Sequence, residues 1–255
     1  MFDVRDEGPI RWLVIDYPAH RNAIPFGHWQ DLAGHFRDFD ASEQRVLVIT
    51  GAGEDFCSGA DLGASFTPGS VSAGYEAVGH VSDAAAALHG IGKPTIAAVD
   101  GVAVGAGMNL ALGCDLVIAS DRVRFSEIFV RRGLTLDFGG TWLLPRIVGI
   151  RKAKELALTG RMVGAEEAVT LGLVGSIVPA DRLHAEAAAL AAELAAGAPL
   201  AQRFLKAGLD RSFEMSFDET VAYERRAQAL LLASEDMVEG VSAFIQKRPP
   251  EFRGR

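Results

Sequence analysis

The chain has 255 residues, of which 49% are apolar, and a formal net charge of −8 at neutral pH. Those values describe a globular protein able to bury a sizeable core in one domain, or in one domain with an appendage. They argue against nucleic acid as the main partner, because phosphate backbones demand clustered Lys and Arg, and an anionic small ligand would need cations placed beside it.

Residues 1–16 lack a basic region followed by an apolar core, and no run reaches the ~18 apolar residues of a spanning helix. The expectation is a cytoplasmic protein outside the membrane. Cys57 and Cys114 stand far apart and match no disulfide or metal-ligand pattern, which fits a reducing compartment. His20, His28, His35, His80, His89 and His184 also lack metal-ligand spacing, so no metal is expected.

Residues 10–16 form a β-prone run, 28–39 a helical stretch and 46–50 a second strand. Small and polar residues at 64–74 read as a mobile loop beside the site, followed by a helix over 75–88. Strands at 95–99 and 116–119 enclose a helix at 106–113, and a further helix covers 151–159, with Gly160 and Gly172 as helix stops. This alternation is that of an α/β layer fold. After Pro179 the strand signals vanish and the chain becomes helical; Ser234, followed by Glu235 and Asp236, caps a last helix that runs toward Lys247 and stops at Pro249.

Two glycine-rich turns follow strands. The first, GAGEDFCSGADL (51–62), has Phe56 where a dinucleotide fingerprint needs its third glycine, and Phe56 also breaks a nucleophile elbow around Ser58. The second, VDGVAVGAGMNLALGCDL (99–116), places Gly101, Gly105 and Gly107 before a short apolar helix. A helix beginning near Ala106 leaves main-chain N–H groups unpaired, suited to an anion or a polarised carbonyl oxygen. Two such turns face to face would form an oxyanion hole; the alternative is that the glycines only permit tight turns.

Asp137 stands in GLTLDFGGTW (133–142), between an apolar run and a Gly-Gly pair. It is either a helix cap or a base, and the two roles move its pKa oppositely: backbone N–H bonds lower it, burial among Leu136, Phe138 and Phe129 raises it.

HRNAI (20–24), FCSGADL (56–62), KPTIAAVDGVAVGAGMNLALGCDL (93–116), GGTWLLPRIVG (139–149), GLVGSIVP (172–179) and FIQKRPPEF (244–252) occur in one order along the chain. Together they resemble the crotonase superfamily, the enoyl-CoA hydratase and isomerase family of acyl-CoA enzymes. The active-site pattern is most similar to isomerases that move a double bond or rearrange a ring, the phenylacetate-pathway type. The resemblance implies a spiral of repeated ββα units over residues 1–195 and a helical trimerisation segment over 196–255, assembled as a homotrimer or a hexamer of two trimers. It further implies an oxyanion hole from the N–H groups of Ala60 and Ala106. Arg21, Phe244 and Lys247 would lie near the phosphates and adenine of coenzyme A, Asp61 and Leu62 along the adenine, and Phe129 and Trp142 around the acyl group. Coenzyme A is then part of the substrate and no separate cofactor is expected.

The departures from the family pattern bear on the reaction. Hydratases of the family carry two glutamates where an ungapped alignment places Asn109 and Phe129, and hydration calls for both a base and an acid. Glu127, two residues before Phe129, would have to substitute from a different depth along a strand-like segment. Asp137 occupies the position of the isomerase aspartate, and one carboxylate suffices to carry a proton between two carbons. The expected function is enoyl-CoA isomerisation through a thioester enolate. The alternatives are hydration or thioester hydrolysis using Glu127, or water positioned by Asp137, with Asn109 as a further secondary group, or a non-catalytic acyl-CoA-binding subunit.

Overall fold

Along the central strands, successive side chains enter two different cores. Val46 and Val48 point to one face and Leu47 and Ile49 to the other, and all four are buried. Ile96 and Ala98 alternate with Ala97 and Val99 in the same way. A strand covered on both faces must be apolar at every position, which is why these segments read as continuous apolar runs.

The computed structural model describes residues 1–63 and 69–255. Strand β1 (Phe2–Glu7) pairs antiparallel with β2 (Ile10–Ile15), followed by helix α1 (Trp29–Ala41), β3 (Val46–Gly51) and α2 (Val71–His89). Next come β4 (Thr95–Val99), β5 (Val102–Val104), α3 (Ala106–Leu112), β6 (Leu116–Ser120), β7 (Arg124–Ser126) and a 3-10 turn at Ile128–Arg132. Then follow α4 (Gly140–Val148), α5 (Ile150–Thr159), β8 (Val163–Gly164), α6 (Ala165–Thr170) and β9 (Ser176–Val178). Helices α7 (Leu183–Ala195), α8 (Pro199–Asp210), α9 (Phe217–Leu232) and α10 (Glu235–Gln246) complete the chain.

The larger sheet has the order β1-β2-β3-β4-β6-β9 and is parallel from β2 onward. A smaller sheet, β5-β7-β8, lies in a second layer, and Cys57 joins it through a parallel bridge to Ala103. Strands β3, β4 and β6 therefore each pass the chain to a short extended piece (Cys57, β5, β7) and then to a helix. This is the spiral of ββα units that the resemblance implies.

Helices α1, α2 and α3 cover one face of the larger sheet, and α7 covers the other. Leu183, Ala187, Ala191 and Ala195 recur every four residues on α7, and this stripe of small side chains lets the helix lie close on β2, β3 and β4. Each fully buried Val, Leu, Ile or Phe in these cores contributes about 1.5–3 kcal/mol.

Two expectations need correction. Residues 71–74 are the first turn of α2 rather than loop, because the Ser70 hydroxyl accepts the Ala73 N–H at 3.2 Å and starts the helix early; residues 64–68 of that loop lie outside the described residues. The second glycine turn is not a single turn either, since β5 separates Gly101 from Gly105.

Ser234 caps α10 as expected, accepting the Met237 N–H at 3.1 Å. The end of the chain folds back on the core. The Arg45 guanidinium donates to the carbonyls of Ala195 (3.0 Å) and Phe252 (2.6 Å), while the Asp236 carboxylate accepts the N–H groups of Arg253 and Gly254. Among the described residues, no helix is long and apolar enough to cross a membrane.

Candidate active site

The first glycine turn is held by Ile24. Its N–H donates to Gly59 O at 2.8 Å and its carbonyl accepts the Asp61 N–H at 2.9 Å. In a parallel bridge those bonds belong to the residues flanking Ala60, so the N–H of Ala60 itself points to the opposite side. It has no hydrogen-bond partner among the described residues. Asn22 braces the same turn from beneath. Fully buried, with φ of 55°, it accepts the Tyr17 N–H and donates to the carbonyls of Ala52 and Asp55. Sequence reasoning did not single it out, although an asparagine inside HRNAI is a residue type that tolerates this backbone.

The second turn is bound to the first. Cys57 N–H donates to Val102 O (3.0 Å) and Val104 N–H to Cys57 O (3.1 Å). Contact is so close that a β-carbon on Gly107 would fall 2.2 Å from Cys57 O, and one on Gly59 would fall 3.3 Å from Ala106 N. Gly59 also has φ of 90°, a conformation that glycine adopts without penalty. Ala106 opens α3, and its N–H has no partner among the described residues. The two free amides, Ala60 and Ala106, thus belong to turns packed against each other. Cys57 between them is buried with its thiol pushed up to about 12, an unreactive packing residue.

Beside the second turn, three polar side chains converge from three elements. The Asn109 amide, on α3, donates to the main-chain carbonyl of Asp137 at 3.0 Å and lies 3.4 Å from Glu127 Oε2. Asn109 and Glu127 are both buried, and one oxygen on each of Asn109, Glu127 and Asp137 has no partner among the described residues. Burial pushes the Asp137 carboxyl up to about 6. Burial, reinforced by the nearby Asp137 charge against the Asn109 hydrogen bond, pushes Glu127 up to about 8.

This geometry decides against Asp137 as a cap. The N-cap of α4 is Gly139, with no side-chain cap bond, and Asp137 contributes only its carbonyl, which accepts the Gly140 N–H. Phe138 occupies the left-handed region (φ 48°), costly for an aromatic residue, and its buried ring packs on Trp29 at 5.6 Å. That anchored ring holds the Asp137 backbone. The strand-like segment expected around Glu127 stops at Ser126: Glu127 precedes the 3-10 turn at Ile128–Arg132, which carries it into the cluster. The Ser126 carbonyl holds Gly105 N–H at 2.9 Å, fixing Glu127 beside the second turn.

The remaining candidates divide. The Phe129 ring is buried, 3.6 Å from where a β-carbon of Gly105 would lie, so it flanks the second turn. The Arg21 carbonyl accepts the Ser58 N–H, which sets its exposed side chain beside the first turn, and Asp61 and Leu62 follow Ala60 directly. Trp142 is placed elsewhere: its ring stacks under Arg146 (3.8 Å), meets His89 edge-on, and lines a separate trough of about 1000 Å³ against α8. Phe244 is exposed on α10 and Lys247 is exposed just past its end, and no hydrogen bond or ion pair links them to the Arg21 turn among the described residues.

A model of the enoyl-CoA hydratase/isomerase family matches residues 7–255. The chain belongs to that family. Members similar to it span both activities in the name. A Rhodobacter capsulatus protein named as a probable enoyl-CoA hydratase is 41% identical over 245 residues, covering 95% of this chain and 94% of its own. The 1,2-epoxyphenylacetyl-CoA isomerase of Escherichia coli K12 is 38% identical over 253 residues, covering 98% and 97%. The crystal structure of enoyl-CoA hydratase from Bacillus anthracis superposes with a TM-score of 0.94 at 28% identity, covering 100% of this chain and 99% of that one. The spiral is thus the crotonase fold of the hydratase/isomerase family.

Proposed function

We propose that this family member is an enoyl-CoA isomerase in which Asp137 moves one proton along the acyl chain. The observation that carries the reading is a half-buried carboxylate with no hydrogen-bond partner among the described residues, raised to about 6, on a residue whose main-chain carbonyl is held by the Asn109 amide. Such a group is ionised at neutral pH yet close enough in pKa to accept and return a proton. In the proposed cycle, Asp137 takes a proton from the carbon next to the thioester, or from the carbon two further on. The released electron pair spreads onto the thioester oxygen, and the protonated Asp137 delivers the proton at the other carbon. The N–H groups of Ala60 and Ala106 would hold the enolate oxygen, each worth roughly 2.7–4 kcal/mol in the transition state. Arg21 would serve the coenzyme A phosphates, and Phe129 the acyl chain. Exposed Phe213, between α8 and α9, with Phe217 on α9 and Phe244 on α10, supports a trimer or a hexamer of two trimers.

Hydration is a second reading, favoured by Glu127, which supplies a second carboxyl near Asp137. Incubation with 2-enoyl- and 3-enoyl-CoA thioesters, followed by mass spectrometry and NMR, separates the readings. Isomerisation leaves the mass unchanged and shifts the olefinic protons. Gain of water would replace it with the hydratase reading, release of free thiol with a hydrolase, and binding without turnover with a non-catalytic subunit.

A further inference from the structure

A one-carboxylate shuttle leaves Glu127 without a task, although its side chain is 1% exposed and no cation pairs with it among the described residues. Burying an acid in this way is costly unless it stays neutral. Among the described residues its side chain has one hydrogen-bond partner, the Asn109 amide, whose nitrogen also donates to the Asp137 carbonyl, so Asn109 bridges the two acidic residues. Resting on the isomerase reading, we propose that Glu127 is a positioning residue that works only in its neutral form: through Asn109 it fixes the main chain of Asp137, and its ionisation inactivates the site.

Two physical effects follow from ionisation. A carboxylate attracts the Asn109 amide more strongly than a carboxylic acid does, drawing that amide from the Asp137 carbonyl. A second negative charge in a low-dielectric pocket also opposes the charge that grows on the thioester oxygen. Charged groups on the surrounding elements are engaged elsewhere and offer no compensation. Arg131, on the adjoining 3-10 turn, donates to Thr159 O; Arg161 pairs with Glu155 and Glu167; Arg146, on α4, lies over Trp142; α3 presents only Asn109. With Glu127 at about 8 and Asp137 at about 6, the neutral-acid and carboxylate forms coexist around pH 7.

The test is the pH dependence of kcat/KM for double-bond migration in the full chain, comparing wild type with Glu127→Gln and Glu127→Ala. Wild type should show an acid limb near 6 and an alkaline limb near 8. The neutral glutamine should keep the acid limb, lose the alkaline one and stay within roughly fivefold of wild type at pH 7, whereas alanine, which frees Asn109, should fall by roughly tenfold or more. An alkaline limb that persists in Glu127→Gln overturns the proposal. So does a glutamine variant weaker by about a hundredfold at every pH while still binding a nonreactive acyl-CoA thioether, because Glu127 would then be transferring a proton itself. If the alanine variant fails to fold, the glutamine profile decides alone. Product identity in wild type tests the isomerase reading separately: a 3-hydroxyacyl product would sink that reading, whereas an unchanged limb in Glu127→Gln would sink only this one.

Discussion

The two halves of the site are built on opposite principles. Around Ala60 and Ala106 the proposed chemistry would be offered by main-chain N–H groups, in turns held by bridges from Ile24 and Cys57, with the side chains there incidental. Around Asp137 it would be offered by side chains from three elements, buried or half-buried and incompletely hydrogen-bonded among the described residues. The backbone half is rigid and tolerant of sequence except where glycine is obligatory. Its side-chain counterpart is costly to keep and sensitive to single atoms and to pH. A site of this kind places its fixed dipoles where charge grows and confines titration to a few residues.

Breaking the side-chain half should produce the largest effect. Asp137→Asn removes the base at nearly constant shape, and kcat should fall by about 10³-fold while acyl-CoA affinity, read by calorimetry, changes little. An unchanged kcat would move the chemistry away from Asp137. Breaking the backbone half should come next. Gly107→Ala puts a β-carbon into the Cys57 carbonyl, which cannot rotate away, so the turns must part. Turnover should fall by about 10²-fold, with a loss of roughly 1–3 kcal/mol in denaturant unfolding.

A third effect concerns stability alone. The folded pKa of Glu127 lies above its unfolded value, so over that interval the folded state binds more protons than the unfolded one. Stability is then greatest below the ordinary glutamate range and is lost as pH rises from there through about 8. Asp137 adds the same sign up to about 6. The slope for one group is at most about 1.4 kcal/mol per pH unit. Urea midpoints at pH 5 and 8 should differ less in Glu127→Gln than in wild type.

What could be read in advance follows the same division. The double-sided strands, the two glycine turns and Asp137 depend on local patterns, and each was visible in the sequence. That the turns touch came from the family resemblance and not from any local pattern, since it rests on a bridge between Cys57 and Ala103, two residues without distinctive chemistry. Glu127 was misplaced because a short strand followed by a 3-10 turn has no periodicity that fixes where a side chain points. Trp142 shares a helix with the Gly140 turn, but its ring turns to Arg146 and His89, a choice made by tertiary packing. The cap reading of Asp137 failed because Gly139 ends the loop in a left-handed conformation that needs no side-chain oxygen.

Arg45 gives the molecule an unexpected dependence between distant parts. One guanidinium spans the end of α7 and the returning tail, 150 and 207 positions further along the chain. Severing the Phe252 contact should let the tail and the last helix open more readily than the sheet, so amide protons there would exchange by local fluctuation instead of waiting for the whole fold to come apart.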